Sequence, residues 1–229
     1  MRDKWQDADF IRVWDARPPS LLRREQLDIL ASVIAAGYRR GSRILNLGCG
    51  TGKLEQLILA HLPEARFTSV DRSAPMLEVA RERLQRYSAR IAFVQQDLSQ
   101  VAGTGLPGRP FQFIVSVNVI HELPHTAKRQ LFQFCRRNIT KTGTLLVIDR
   151  IAIERRRLHS AYDAVLRRLQ RLNGNASGEL SSHFAAPGAP DHEHPATLEQ
   201  YLTWLRRAGL TPAVLHLHFH KALIAATPR

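Results

Sequence analysis

The sequence predicts an α/β fold, with helices covering both faces of a mostly parallel sheet, and three observations carry that reading. Arg43-Ile44-Leu45-Asn46-Leu47 is a short apolar run of the kind buried in a parallel sheet. Glycines at 48, 50 and 52 stop it, and Leu54, Leu57 and Ile58 then recur at helical spacing, so a strand turns into a helix through a glycine loop. Strand-like and helix-like stretches go on alternating five times, which the right-handed crossover rule converts into a parallel sheet.

Taken in order, residues 1–20 place Trp5, Phe10, Ile11, Val13 and Trp14 at partly helical spacing, and Arg17-Pro18-Pro19 ends that segment. Ser20 is a plausible cap for an amphipathic helix from Leu21 to Tyr38, closed before Gly41. The aromatic N-terminus either packs on the body or covers a bound ligand. Ala65 to Asp71 reads as a second strand ending in an acid about twenty residues beyond the glycines, where a carboxylate can meet both hydroxyls of a ribose. Ser73 and Pro75 start the next helix. Ile91 to Leu98 is a third strand leading to Asp97, and Phe111 to Val119 a fourth, flowing into Asn118-Val119-Ile120-His121-Glu122-Leu123. A helix from Thr126 to Asn138 follows, and Thr142-Gly143-Thr144 is expected to turn the chain into a fifth strand, Leu145 to Asp149.

Beyond Asp149 the alternation breaks. Leu158, Tyr162, Val165, Leu169 and Leu172 mark an amphipathic helix, and Asn173 to Ala196 is a loop rich in Gly, Ser, Pro and His. Together they predict an insertion, 150–196, over the strand ends. Leu198 to Ala208 is a last helix closed by Gly209, and Val214 to Ala226 supplies an antiparallel hairpin at the sheet's edge. The expected organisation is a lid and first helix over 1–40 and one catalytic domain over 41–229.

With 229 residues and 44% hydrophobic content, one core is expected. No run reaches the roughly 18 apolar residues of a membrane span, and Asp3, Asp7 and Asp9 replace any apolar signal region, so a cytoplasmic location is expected. Two cysteines, Cys49 and Cys135, make no disulfide framework. His216, His218 and His220 alternate along a strand without a visible carboxylate shell, and His183, His192 and His194 lie in a polar loop, so no metal is expected. The net charge of +13 is spread over nearly every helix, with one concentration from Arg150 to Arg171. A solvated surface is expected, with a polyanion footprint as the alternative.

The glycine loop lacks the first glycine and the hydroxyl residue of a P-loop, and lysine stands at 53 where a dinucleotide fingerprint needs a small residue. Asn46-x-Gly48-x-Gly50-x-Gly52 resembles instead motif I of class I S-adenosylmethionine-dependent methyltransferases. Val70-Asp71-Arg72-Ser73-Ala74-Pro75-Met76-Leu77, Gln96-Asp97-Leu98 and Asn118 to Leu123 follow in the order that family shows, from about residue 41 onward. The resemblance implies a Rossmann-like seven-stranded sheet with a reversed last strand and S-adenosyl-L-methionine as cofactor. It would place Gly48, Gly50 and Gly52 near the methionine portion, Asp71 near the ribose, Asp97 and Leu98 near the adenine and Asn118 on the backbone side of the pocket, with Asn46, Cys49, Thr51, Arg72 and Met76 also among the cofactor contacts. Asn46 departs from the family's usual acid and withholds the charge that would favour the cofactor's ammonium.

Within the family, Leu123-Pro124, His194 to Glu199 and Trp204 to Leu210 look like a bacterial group similar to the tRNA uridine carboxymethyltransferases. That group holds a carboxylated cofactor with an arginine, and Trp204 stands at the matching position, so ordinary S-adenosylmethionine is expected. Methyl transfer asks mainly for alignment, because the sulfonium is already activated. His121 is the candidate base, with a structural role as the alternative, and Trp14, Arg17, Arg150 and Tyr162 are candidate substrate contacts. A small-molecule acceptor is expected, ahead of RNA and ahead of a non-catalytic cofactor-binding module. The protein is expected to be a monomer or homodimer without membrane partners.

Overall fold

The computed structural model describes residues 4–19, 21–103, 105–153, 158–172 and 194–229. Seven strands, β1 (Arg43–Leu47), β2 (Arg66–Asp71), β3 (Ile91–Gln95), β4 (Phe111–Val117), β5 (Ile139–Arg150), β6 (Leu210–His218) and β7 (Lys221–Pro228), form one sheet ordered β3-β2-β1-β4-β5-β7-β6. All neighbouring pairs up to β5 are parallel, and β7 runs antiparallel to both β5 and β6. This is the Rossmann-like sheet expected from the sequence. The strand order reverses at β1, whose neighbours are β2 and β4, and that reversal opens a crevice at the carboxyl ends of the strands.

The helices are α1 (Ala8–Asp15), α2 (Leu21–Gly37), α3 (Lys53–His61), α4 (Ala74–Arg83), α5 (His125–Asn138), α6 (His159–Leu172) and α7 (Leu198–Arg207). Side chains alternate along β1, so Leu45 and Leu47 join one core with Leu131 and Phe132 of α5 and Tyr201 of α7. Ile44 joins a second core, on the opposite face, with Leu30 and Ile34 of α2 and Ile58 of α3. Asn46 shares the face of Ile44 and therefore looks toward α3. Three helices start on side-chain caps: Asp7 for α1, Ser73 for α4, and Thr197 for α7, where Gln200 completes a capping box. The expected cap Ser20 lies outside the described residues.

One element differs from expectation. Thr142-Gly143-Thr144 does not turn the chain, because β5 runs unbroken from Ile139 and absorbs the glycine in a register shift against Phe111 and Phe113 of β4. A side chain at Gly143 would meet Ile139 Cγ1 at 2.6 Å and the Gln112 carbonyl at 2.8 Å, so glycine there lets two strands stay close through an irregularity. The aromatic N-terminus, expected either to pack on the body or to cover a ligand, is held to the body by several polar contacts described below. Of the expected loop from Asn173 to Ala196, residues 173–193 lie outside the described residues. From His194 the chain is tied back: its amide donates to the His121 carbonyl at 2.7 Å, and Ala152 donates to Ala196 at 2.8 Å.

Candidate cofactor and substrate site

The crevice at the strand ends opens into a cavity of about 1040 Å³. Small-molecule sites usually span ~300–1,000 Å³, so this one has room for a nucleoside-sized ligand and a second molecule beside it. Its floor is the glycine loop. Gly48 has φ of 78°, and a Cβ there would collide with Val119, so that glycine lets the β1 loop and the β4 loop touch. Gly50, with φ of 54°, faces open space, where a Cβ would meet only Met76 Sδ at 3.9 Å. Gly52 does not line the cavity: a Cβ there would strike Leu84 and Ala80, so it serves the packing of the loop on α4.

Asp71 closes one side of the loop. Its Oδ2 accepts from the Gly50 amide at 2.8 Å and its Oδ1 from the Ser73 amide at 2.9 Å. Burial raises its pKa above the usual carboxylate range, against the pull of those two amides. Each oxygen keeps a further lone pair for a ligand hydroxyl. Arg72, Met76, Asp97 and Leu98 line the same wall, with Cys49 and Thr51 on the loop itself. Asn118 adopts φ of 55°, a left-handed turn that asparagine tolerates, and its amide nitrogen donates to Ile148 O at 2.7 Å. In the orientation that satisfies both groups, its side-chain oxygen accepts from the Arg23 guanidinium of α2.

Behind the loop lies a carboxylate that apolar periodicity conceals. Glu55, on the inward face of α3, is fully buried, and its Oε1 accepts from Asn46 Nδ2 at 2.8 Å and from the Ser69 hydroxyl at 2.6 Å. Burial raises its pKa, and the Ser69 and Asn46 hydrogen bonds oppose that rise. The signal was present in the sequence as a charge between the inward-facing Leu54 and Ile58, on the helix that follows a neutral Asn46.

The N-terminal segment contributes Trp5, Trp14 and Arg17 to the cavity wall. Trp5 stacks edge-on against Phe10 and Trp14, each with centroids 5.5 Å apart. Trp5 Nε1 donates to Glu122 Oε1 at 3.1 Å, and the Ser73 hydroxyl donates to the Trp5 carbonyl. At the other end of α1, Asp15 accepts from the Thr51 hydroxyl at 2.6 Å and from Arg83 at 2.5 Å, with Lys53 at 3.3 Å. Burial would raise the pKa of Asp15, but Arg83, Thr51 and Lys53 together hold it below the ordinary carboxylate value. The segment is thus fastened at both ends to the elements that form the floor.

His121 and Arg150 are not on the cavity wall among the described residues. The His121 ring is buried, with Nδ1 donating to Asp149 Oδ1 at 2.6 Å, and Tyr201 donates to Asp149 Oδ2 at 2.6 Å. Burial alone would raise the pKa of Asp149, and the histidine and tyrosine contacts more than reverse that. The trio fixes the turn whose Asn118, Val119 and Glu122 do reach the cavity. Beside it, Lys128 is buried and donates to the carbonyls of Leu123, His194 and His121, and burial lowers its pKa to about 8. Arg150 ends β5 opposite Lys221. The Tyr162 side chain, Arg155 to Arg157, and His183 and His192 lie outside what the structure describes. His216 of β6 lies 3.5 Å from Glu25 and 3.3 Å from Gln26 Nε2, and no metal-binding cluster occurs among the described residues. No described helix is long and apolar enough to cross a membrane.

A family model described as a methyltransferase domain matches residues 44–143. Over 221 residues the chain is 28% identical to trans-aconitate 2-methyltransferase of Methylobacterium nodulans, a match covering 96% of this chain and 74% of that protein. Over 105 residues it is 32% identical to malonyl-[acyl-carrier protein] O-methyltransferase of a Paenibacillus species, covering 45% of this chain and 37% of the relative's length. Its fold matches magnesium protoporphyrin IX methyltransferase from Synechocystis, solved with bound S-adenosylhomocysteine, with a TM-score of 0.66, 17% identity, and coverage of 100% and 98%. Fold, glycine loop and the domain match over residues 44–143 together support a class I S-adenosylmethionine-dependent methyltransferase.

Proposed function

We propose that this chain binds S-adenosyl-L-methionine in the strand-end cavity and transfers its methyl group to a small anionic acceptor, an oxygen nucleophile of the carboxylate type. The observation that supports the acceptor class is a group of arginines, Arg17, Arg23 and Arg24, on the cavity wall beside the glycine loop. The residues fit the cofactor. Gly50 leaves open space beside the loop, Asp71 and Asp97 offer acceptors on the cavity wall for a ribose and an adenine, and the Asn46 side-chain oxygen is buried without a hydrogen-bond partner. Ordinary S-adenosylmethionine is favoured over its carboxylated form because Trp204 packs in the core, 5.2 Å from the His125 ring, and not on the cavity wall.

When bound, the cofactor would supply an electrophilic methyl group. The protein's share is to hold the acceptor in line and to exclude water with the Trp5 and Trp14 segment, which serves as the lid. An acceptor that is already anionic needs no proton removed. That agrees with the place of His121, whose ring is committed to Asp149 and away from the wall, so its part is to position the turn carrying Asn118 and Glu122.

The test is two measurements on the purified chain: calorimetry with S-adenosylhomocysteine, then transfer of radiolabelled methyl to panels of small carboxylic acids, alcohols, amines and tRNA. Product from the acids, reduced by Arg23→Gln and Arg24→Gln, is expected. Product from tRNA alone would overturn the acceptor class, and no calorimetric signal would overturn the cofactor reading.

A further inference from the structure

The family's usual acid at the end of β1 is absent here, where Asn46 stands, yet the site does not lack a carboxylate. Asn46 is 2% exposed and lines the cavity. Its amide nitrogen is spent on Glu55 Oε1 at 2.8 Å, which leaves Oδ1 as the part of the side chain without a hydrogen-bond partner. An amide whose NH₂ is held by a carboxylate has its oxygen turned the other way, away from that carboxylate. Glu55 is itself fixed by the Ser69 hydroxyl from the neighbouring strand, at the position level with Asn46, so the orientation is determined from two sides.

We infer that Asn46 and Glu55 act as one unit that recognises the ammonium of the cofactor's methionine end: Asn46 Oδ1 accepts from it, and Glu55, acting through Asn46, orients the amide and supplies the negative charge. This rests on the cofactor reading above. The charge expected on β1 has moved to the facing helix and is relayed through a neutral amide. The relay also explains why asparagine is needed. An aspartate at 46 would set a second carboxylate within hydrogen-bond distance of Glu55 Oε1 in a buried place, where two like charges repel strongly. Glu55 is therefore a positioning residue, since it touches Asn46 and not the ligand.

The unit makes a reciprocal prediction, tested by calorimetry on the full chain with two probes, S-adenosylhomocysteine, which carries the ammonium, and 5′-methylthioadenosine, which does not. Asn46→Asp and Glu55→Gln should each weaken S-adenosylhomocysteine about 10-fold or more, the scale of one charge-assisted hydrogen bond. The double variant Asn46→Asp/Glu55→Gln, which returns the charge to β1 and removes it from α3, should recover most of that loss. Affinity for 5′-methylthioadenosine should stay at the wild-type level in all three. Equal losses for both probes, or a double variant as weak as the sum of the singles, would overturn the inference and leave Glu55 a packing residue. Should Asn46→Asp not fold, Glu55→Gln with the two probes still decides. If the wild type bound neither probe, the cofactor reading would fall first and this inference with it.

Discussion

The Thr51 hydroxyl donates to Asp15 at 2.6 Å, so the loop that would cradle the cofactor and the end of α1 on the cavity wall share a hydrogen bond across 36 residues of sequence. Arg83 closes the triangle, donating to the Thr51 carbonyl and to Asp15. The N-terminal segment and the floor are therefore coupled, and α1 cannot move away without breaking contacts of the loop.

Asp15→Asn should loosen the N-terminal segment. It removes the charge that Arg83 and Lys53 answer while keeping the shape, at a cost of ~1–2 kcal/mol, or roughly 5- to 30-fold in the closed population. Amide hydrogen exchange should show residues 4–16 losing protection in the variant and regaining part of it with S-adenosylhomocysteine. Unchanged protection would mean that Ile11, which is fully buried, anchors the segment by itself.

Gly50→Ala and Gly52→Ala should fail in different ways. Both force alanine into a left-handed backbone, at a cost of ~1–2 kcal/mol. At Gly52 the methyl also meets Leu84 Cδ1 at 2.7 Å, so the thermal midpoint should fall further there than in Gly50→Ala. At Gly50 the methyl enters open space, so stability should fall only by the backbone term while S-adenosylhomocysteine binding is lost. Retained binding in a folded Gly50→Ala would remove that space from the cofactor site.

How much of this was legible follows from how local each signal is. The strand, glycine loop and helix from Arg43 to Leu59 are specified by neighbours in sequence, and so is the cap at Ser73, whereas the caps at Asp7 and Thr197 emerged only from the structure. Gly143 misled because a glycine between threonines looks the same in a turn and in a strand irregularity, and only β4 distinguishes them. Glu55 was hidden because a charged residue on a helix is read as solvated, and its partners Asn46 and Ser69 arrive from two strands. The surroundings of His121 depend on Asp149 and Tyr201, which are 28 and 52 residues apart from their partners along the chain. No spacing rule joins them.

His121→Ala should be a stability variant before it is a catalytic one. It leaves Asp149 buried with one partner fewer, which costs about 3 kcal/mol. Denaturant melts should show that loss, and the pH dependence of turnover should keep its wild-type shape. A variant of normal stability that lost a neutral-pH limb in its rate profile would restore His121 as the base.

Lys128 should leave a pH signature of its own. Its folded pKa near 8 lies below the ordinary 10.5, so between these values the unfolded chain binds the proton more readily. Stability contributed at this site therefore rises as pH increases from about 8 toward 10, and the cost of the buried ammonium is fully present below that window. Tyr201, whose pKa burial and Asp149 raise well above its ordinary value, works in the opposite sense near and above pH 10. Comparing urea stability of the wild type and Lys128→Met at about pH 8 and pH 9.5 isolates the lysine. Parallel slopes in the two proteins would refute the assignment.

The reversed strand β7 sits between β5 and β6, inside the sheet, although its residues, 221–228, come last among the described elements. During synthesis β5 is made some seventy residues earlier and must wait with one long edge open, carrying Leu145, Leu146, Val147 and Ile148. An apolar, unpaired edge is a template for pairing with other chains. The nascent protein thus passes through a stage in which a strand destined for the sheet's interior is its most adhesive surface, and that stage ends only when Ala222 to Ala226 slide into the gap. Shortening the chain by those residues should yield aggregates, not a smaller folded domain, and supplying the missing strand as a separate peptide during refolding should keep the truncated chain in solution.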